Sequence, residues 1–555
     1  MRGAKAILES LKREEVKVMF GIPGGALIPL YDELYDSDLR TILMRHEQAA
    51  AHAADGYARA SGEVGVCLAT SGPGATNLVT GIASAYLDSS PIVAFTGQVP
   101  RAMIGKDAFQ EADPVGITMP ITKHNFQFYS VEEIPYIIKK AFKIAKTGRP
   151  GPVLIDVPKD VQEKEGTMKF PSDVEIIGYN PTLKGHSRQI KRAVDLLMTA
   201  ERPIALVGGG VIISGASKEL LEFVEILQLP VVTSLMGKGA FPENHPLALG
   251  MIGMHGRKAG NFAISDADVI IAIGCRFSDR TTGNVNCFAP EARIIHIDIE
   301  PAEIGKNVSV EVPVVGDARL VLKEMLKVAK AKVTKHPEWT KKIKQYKKEF
   351  QPKMDYDDVP LMPQRVIKEI MEVISEDDIV VTEVGQCQMW AAHFLSRTKA
   401  RTFISSGGLG TMGFGFPASI GAKTAKPDRN VIDIAGDGSF MMNCQELATV
   451  VENDIPVVVA VLNNHYLGMV RQWQELFFDR RYSGVYLGEV PDYVKLAEAF
   501  GAKGIKVEKP SEIKEAVKEA FASGRPTVLD MVVKRESNIF PMVPPGGCLK
   551  DIIEG

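Results

Sequence analysis

Val431-Ile432-Asp433-Ile434-Ala435-Gly436-Asp437-Gly438-Ser439-Phe440, answered downstream by Pro456-Val457-Val458-Val459-Ala460-Val461-Leu462-Asn463-Asn464, is the stretch whose reading decides the fold. Both apolar runs read as buried strands. The first ends in Gly-Asp-Gly, where glycine lets the backbone turn sharply. Asp437 is thereby presented at the carboxyl edge of a sheet, the edge at which open α/β folds bind ligands. A helix is expected between the runs, with Asn443, Glu446 and Asn453 toward solvent or at caps and Leu447, Val450 and Val451 toward the core. The interval from Asp437 to Asn464 is that of a β-α-β crossover. One carboxylate with amide oxygens suits a hard cation such as Mg²⁺, which keeps few protein ligands and completes its shell from phosphate.

The same grammar runs through the first third. A helix over 3–15, with Ala6, Ile7, Leu8 and Leu11 inward, precedes a strand over 16–20 and the turn Gly21-Ile22-Pro23-Gly24-Gly25. A strand over 41–44 ends in Arg45-His46-Glu47-Gln48 before an alanine-rich helix over 49–60. Taken alone, Glu47 reads as a first-turn acid complementing the helix dipole. A strand over 64–70 leads into Ser71-Gly72-Pro73-Gly74-Ala75-Thr76-Asn77, either a tight turn or a helix start with exposed N–H groups. A strand over 91–96, a loop at Phe109-Gln110-Glu111 and the run 148–160 follow. Strands alternating with helices predict a parallel, doubly wound sheet.

In the middle, 181–187 reads as a linker and Pro203-Ile204-Ala205-Leu206-Val207-Gly208-Gly209-Gly210 as a strand into a glycine turn. That run lacks the full Gly-x-Gly-x-x-Gly of a dinucleotide fingerprint. Runs 267–277 and 294–298 are two further buried strands, and 316–318 ends a fourth. The lysine-rich stretch 323–348 reads as a solvated helix face, and 351–363 as a linker. In the last third, a strand ends at Val380-Val381, and 407–417 is a glycine-rich loop opening a helix.

The chain has 555 residues, a length for about three or four domains. Its 45% hydrophobic and 24% charged content is that of a globular protein, and its net charge of −3 gives no electrostatic case for nucleic acid or an anionic membrane. The six cysteines are scattered and none forms Cys-x-x-Cys, which argues against a disulfide framework or zinc site and fits a reducing cytosol. The N-terminus has no signal-peptide pattern, and no run is apolar enough for a membrane span. The expected location is therefore cytoplasmic. No short-period repeat is found.

Four motifs stand in one order: Arg45-His46-Glu47-Gln48-Ala49-Ala50, Ser71-Gly72-Pro73-Gly74-Ala75-Thr76-Asn77, Gly151-Pro152-Val153-Leu154-Ile155-Asp156-Val157-Pro158-Lys159-Asp160, and the spaced Gly-Asp-Gly and Asn-Asn. The last resembles the diphosphate-binding signature of thiamine diphosphate (ThDP) enzymes. Together, over essentially the whole chain, they resemble the catalytic subunit of the acetohydroxyacid synthase (acetolactate synthase) family. The resemblance implies an α/β architecture of three doubly wound parallel-sheet domains: pyrimidine-binding over 1–180, central FAD-type over 187–345, and diphosphate-binding over 360–555. It implies ThDP, Mg²⁺ and FAD as cofactors, the flavin undergoing no net redox change.

By that resemblance Glu47, Gln110, Lys159 and Met412 are catalytic. Glu47 would activate the pyrimidine ring by sharing a proton with it, and Met412 would be the wedge that bends ThDP. Pro23, Gly24, Thr70, Pro73, Asn77, Val384, Gly385, Gln386, Gly410, Met412, Gly438, Ser439, Leu467, Gly468 and Met469 would hold ThDP. Asp437, Asn464 and the Tyr466 carbonyl would bind Mg²⁺. Arg149, Gly208, Gly209, Met254, His255, Gly274, Asp298 and Asp317 would line the flavin. Phe109, Arg276, Val470 and Trp473 would meet the substrate, Arg276 gripping its carboxylate with a fork of donors. The family commonly carries histidine where Cys387 stands, a stronger donor toward the diphosphate.

The implied reaction is decarboxylation of pyruvate and ligation of the two-carbon remainder to a second pyruvate or to 2-oxobutyrate, the first common step toward the branched-chain amino acids. A homodimer or homotetramer with a separate regulatory small subunit is implied, with no nucleic-acid or membrane partner. The nearest alternative is another ThDP–flavin enzyme such as a pyruvate oxidase, against which Arg276 and Trp473 speak. Glu47 speaks against a glyoxylate carboligase. A non-catalytic ThDP-fold binding protein would be expected to lack Glu47, Asp437 or Asn464, and all three are present.

Overall fold

A computed structural model of the chain describes residues 1–330 and 336–555. Eighteen strands build three six-stranded sheets, and every pairing between named strands is parallel. The first contains β1 (Val18–Gly21), β2 (Arg40–Leu43), β3 (Gly65–Ala69), β4 (Ile92–Gln98), β5 (His124–Gln127) and β6 (Val153–Pro158), in the order β2-β1-β3-β4-β6-β5. The second contains β7 (Pro203–Val207), β8 (Val231–Thr233), β9 (Ala248–Met251), β10 (Val269–Ile273), β11 (Arg293–Asp298) and β12 (Val312–Val315), in the order β12-β11-β10-β7-β8-β9. The third contains β13 (Ile379–Thr382), β14 (Phe403–Ser405), β15 (Val431–Gly436), β16 (Val458–Asn463), β17 (Lys503–Val507) and β18 (Thr527–Val532), in the order β14-β13-β15-β16-β18-β17.

The first and third sheets share one strand order: β13 to β18 take the places of β1 to β6. Each sheet has a switch point where the order reverses, between β1 and β3, between β7 and β10, and between β13 and β15. Such switch points leave a crevice beyond the carboxyl ends of the strands. Central strands such as Val269–Ile273 are buried at every position, as parallel strands covered on both faces must be.

The helix Glu47–Ser61 packs against the helix Gly415–Ala425, and their side chains share one core. Their glycines let the backbones touch. A Cβ on Gly56 would lie 2.0 Å from Ala418 O, and one on Gly421 would lie 1.8 Å from Ala53 O. The first and third sheets are thereby locked face to face through alanine and glycine. The 323–348 stretch is seen as the helices Ala318–Ala329 and Pro337–Glu349, with 331–335 outside the described residues.

Two expectations are corrected. The helix after the Gly-Asp-Gly turn runs over Glu446–Glu452, and Asn443 and Glu446 are buried rather than turned to solvent. Val451, expected in the core, is only half-buried. The cysteines also do not all stay free: Cys287 and Cys548 form a disulfide across a separation of 261 residues. The pair is invisible to spacing because the tail returns to the middle sheet by its own hydrogen bonds. Asn284 N donates to Gly547 O (3.0 Å), and Val543 N donates to Met254 O (2.8 Å). Cys67, Cys275, Cys387 and Cys444 are free thiols. Among the described residues no helix is long and apolar enough to cross a membrane.

Candidate active site

The expected residues gather in three groups at strand ends. The first surrounds Glu47, the first residue of its helix. His46 Nδ1 accepts Gln48 N–H (3.1 Å) and caps that helix. Asn77 Nδ2 donates to Glu47 Oε2 (2.9 Å). Gly24 and Gly74 close around Thr70: a Cβ on Gly24 would meet Thr70 Oγ1 at 2.4 Å, and one on Gly74 would meet Glu47 Oε1 at 3.4 Å. Gly72 needs its positive φ of 60° to pass under Gln110, itself at φ 59°. Thr70 Oγ1 is buried without a hydrogen-bond partner. Pro23, Pro73, Asn77 and Phe109 are exposed, Phe109 to 88%. Lys159 opens the short helix at the end of β6.

The second group forms at the ends of β15 and β16, which pair directly. Asp437 is buried, and burial pushes its carboxyl up to about 6. Its Oδ1 accepts Gly438 N–H (2.9 Å), and its Oδ2 has no partner. Asn464 Oδ1 accepts Tyr466 N–H (3.0 Å). Gly438 lies under Leu467, Leu487 and Met412, where a Cβ would be 2.9 Å from Leu467 Cδ2 and 3.8 Å from Met412 Cε. Ser439 Oγ donates to Gly436 O (3.2 Å). Gly468 passes beside Gln386, whose side chain is fully engaged. Gln386 Oε1 accepts from Asn464 Nδ2 (3.3 Å), and its Nε2 donates to Gln472 Oε1 (2.8 Å) and Ser537 O (2.9 Å). Any contact of Gln386 with a ligand is thus left to its backbone.

The third group lines one cavity of about 1570 Å³. Arg149, Gly209, Met254, His255, Gly274, Asp298 and Asp317 stand along it on the middle-sheet side. Arg276, Val384, Gly385, Gly410, Met412, Met469, Val470 and Trp473 line it too, and Met412 lies near Gly438 of the second group. Gly208 sits behind this wall, where a Cβ would be 2.0 Å from Gly274 O, so it serves the packing of the β7 and β10 turns. Arg149 is held by Glu303 (2.9 Å) and Ser89 (2.8 Å). Asp317 Oδ1 caps the helix Ala318–Ala329 through Leu320 N–H (3.0 Å). Burial raises Asp298 to about 6 and lowers His255 to about 3, which keeps that imidazole neutral. Trp473 packs on the Arg280 guanidinium, 5.7 Å from the ring centroid. The Glu47 group does not line this cavity in the single chain.

The donor sets fit the groups the sequence called for. An unpartnered buried carboxylate oxygen with only amide and carbonyl oxygens beside it suits Mg²⁺ carrying a diphosphate. No cluster of three or more carboxylate, imidazole or thiol ligands occurs among the described residues. The unpartnered His255 Nδ1 and the close-packed glycine turns of the cavity suit an extended nucleotide such as FAD.

Sequence reading passed over several supports. Asp88 accepts Gly407 N–H (3.2 Å) and Gly408 N–H (2.7 Å) and pairs with Arg59 (3.4 Å). Glu383 accepts Gly413 N–H (2.8 Å) and Phe416 N–H (3.1 Å), fixing the turn after Met412. Burial raises Glu383 to about 7 and the neighbouring Asp433 far above the carboxylate range. Neither Asp88 nor Glu383 lies in a quoted motif, and only their long-range hydrogen bonds betray the role.

Comparison with known proteins matches three family descriptions along the chain. "Thiamine pyrophosphate enzyme, N-terminal TPP binding domain" matches residues 1–117, the central domain 190–325, and the C-terminal TPP binding domain 383–531. The "Probable acetolactate synthase large subunit" of Methanocaldococcus jannaschii is 59% identical over 564 residues, covering 100% of this chain and 95% of its own. The "Acetolactate synthase large subunit" of Corynebacterium glutamicum is 50% identical, covering 100% and 90%. The "Acetolactate synthase isozyme 3 large subunit" of Escherichia coli is 46% identical, covering 100% and 98%.

Proposed function

The chain belongs to the acetolactate synthase large-subunit family of thiamine pyrophosphate enzymes, and we propose that it decarboxylates pyruvate and joins the two-carbon remainder to a second 2-oxo acid. With pyruvate as acceptor the product is 2-acetolactate; with 2-oxobutyrate it is 2-aceto-2-hydroxybutanoate. The observation that carries this reading is the single cavity that brings Val384, Gly385, Gly410, Met412 and Met469 together with Arg276, Val470 and Trp473. ThDP, when bound, supplies the carbon nucleophile and the electron sink for decarboxylation and ligation.

The protein's own groups do the rest. Asp437, Asn464 and the Tyr466 carbonyl would hold Mg²⁺ and, through it, the diphosphate. Asn77 fixes Glu47 Oε2, leaving Oε1 to share a proton with a pyrimidine ring nitrogen. Met412 and Leu467 pack near Gly438 and would keep water from a cofactor bound there. Arg276 binds the acceptor carboxylate, and Trp473 with Val470 forms the apolar wall beside it. FAD would occupy the part of the cavity lined by Arg149, Met254, His255, Asp298 and Asp317. The net reaction is redox-neutral, so its role is to shape the site.

The Glu47 group lies apart from the cavity, beside exposed Phe109 and Met119, while Met442 and Tyr486 are exposed in the third domain near the diphosphate residues. A second copy of the chain would supply the missing half of each site and cover these apolar surfaces. The relatives' "large subunit" names imply a small subunit for them, and we extend that partner to this chain.

The test is purified protein with pyruvate, with and without ThDP, Mg²⁺ and FAD, measuring acetolactate and oxygen together. Acetolactate that requires ThDP and Mg²⁺ without oxygen uptake is expected. Oxygen uptake in step with pyruvate loss would replace this reading with an oxidase.

A further inference from the structure

Glu446 is fully buried, yet among the described residues no lysine or arginine side chain forms a salt bridge with it. Its two oxygens accept Arg45 N–H at 3.0 and 3.2 Å, and Thr449 Oγ1 donates to Oε2 at 2.6 Å. Thr449 also reaches Leu43 O (3.4 Å). These bonds span about 400 residues of sequence and join the third domain to the end of β2.

β2 is the edge strand of the first sheet, paired only with β1. An edge strand presents unpaired N–H and C=O groups. At the end of β2 those groups are taken by Glu446 and Thr449 rather than by water. Two residues further on, the helix bearing Glu47 begins. The Glu47 side chain itself has one hydrogen bond, from Asn77. Its direction therefore depends on where the backbone starts the helix. A buried carboxylate is costly without such partners, and a leucine at 446 would fill the same core at less cost.

We propose that Glu446 is a positioning residue for Glu47, fixing the end of β2 through the Arg45 N–H and so the place where the Glu47 helix starts. This rests on the reading of Glu47 as the acid that activates ThDP. Glu446 is not among the residues that line the cavity. Its own helix begins shortly after the Asp437 turn, so one carboxylate couples the metal end of the chain to its acid end.

The experiment measures three quantities in wild type, Glu446→Gln, Thr449→Val and Glu47→Gln: deuterium uptake by the peptide spanning Arg45 in cofactor-free protein, affinity for ThDP–Mg²⁺, and the exchange rate of the thiazolium C2 proton at saturating cofactor. Glu446→Gln is expected to raise uptake at Arg45, leave cofactor affinity within about twofold, and slow C2 exchange roughly tenfold to hundredfold, the scale of a displaced catalytic group. Thr449→Val, which removes only the hydroxyl, is expected to move the same quantities in the same direction by less. Wild-type C2 exchange in Glu446→Gln, with slow exchange in Glu47→Gln, would overturn the inference alone. A loss of cofactor affinity matching the loss of exchange would also overturn it, because that is the signature of general damage near Asp437. Wild-type exchange in Glu47→Gln would remove the reading of Glu47 and this inference with it.

Discussion

At the scale of single residues, burial decides which groups can act. Asp437 keeps one carboxylate oxygen free only because its other is tied to Gly438 N–H in a closed turn. Asp437→Ala is predicted to weaken ThDP binding at least tenfold, read by titration at fixed Mg²⁺, since the bridging charge is lost. Trp473 stands at the cavity end shared with Arg276 and Val470. 2-Oxobutyrate exceeds pyruvate by one methylene, worth about 1 kcal/mol buried and 1–3 kcal/mol in a discriminating pocket. Trp473→Leu is predicted to lower preference for 2-oxobutyrate about tenfold in a two-acceptor competition while acetolactate synthesis persists. Asp156 is buried between Thr96, Gln98 and Gln127, and burial raises its carboxyl to about 6. The folded value exceeds the unfolded one, so this group's contribution to stability is full below about pH 4 and is lost as pH rises through about 6. Relative to Asp156→Asn, the wild type is predicted to lose roughly 2 kcal/mol between about pH 4.5 and about pH 7.5, measured by urea unfolding at each pH.

At the scale of elements, the crossing of Glu47–Ser61 and Gly415–Ala425 sets the distance between the first and third sheets. The alanine-rich reading of the first helix was legible in sequence, but its reason was not. Ala49, Ala50, Ala53 and Ala54 are small because Phe416 and Ile420 share their core and the two backbones nearly touch at Gly56 and Gly421. Gly421→Ala places a methyl 1.8 Å from a carbonyl oxygen of a rigid helix. It is predicted to cost about 3 kcal/mol or more, read as a lowered denaturant midpoint, because neither backbone can give way. Exposed Gly25, with nothing near its Cβ position, makes the control: alanine there is predicted to change stability by under about 1 kcal/mol.

At the scale of the molecule, the three sheets are tied through one cavity and one tail. The cavity is lined by residues from Ala58 to Trp473, so a flavin bound in it touches all three domains. Saturating FAD is therefore predicted to raise the melting temperature of the whole chain in one cooperative transition, with about 2.7 kcal/mol gained at about 100 times Kd. Unfolding in which only the middle domain shifts would place the flavin inside that domain alone. The strands, the switch-point turns and the motif residues were determined by the sequence itself, because apolar runs closed by glycine and an acid carry their structure locally. The short strands β5, β8, β9, β14 and β17, all but β8 at a sheet edge, were not, since His124-Asn125-Phe126-Gln127 and its like have no local signature beyond the neighbour they pair with. Nor was the burial of Glu446 or the closure of Cys287 on Cys548. Each of these depends on contacts between residues tens to hundreds of positions apart, and such contacts exist only once the sheets have packed.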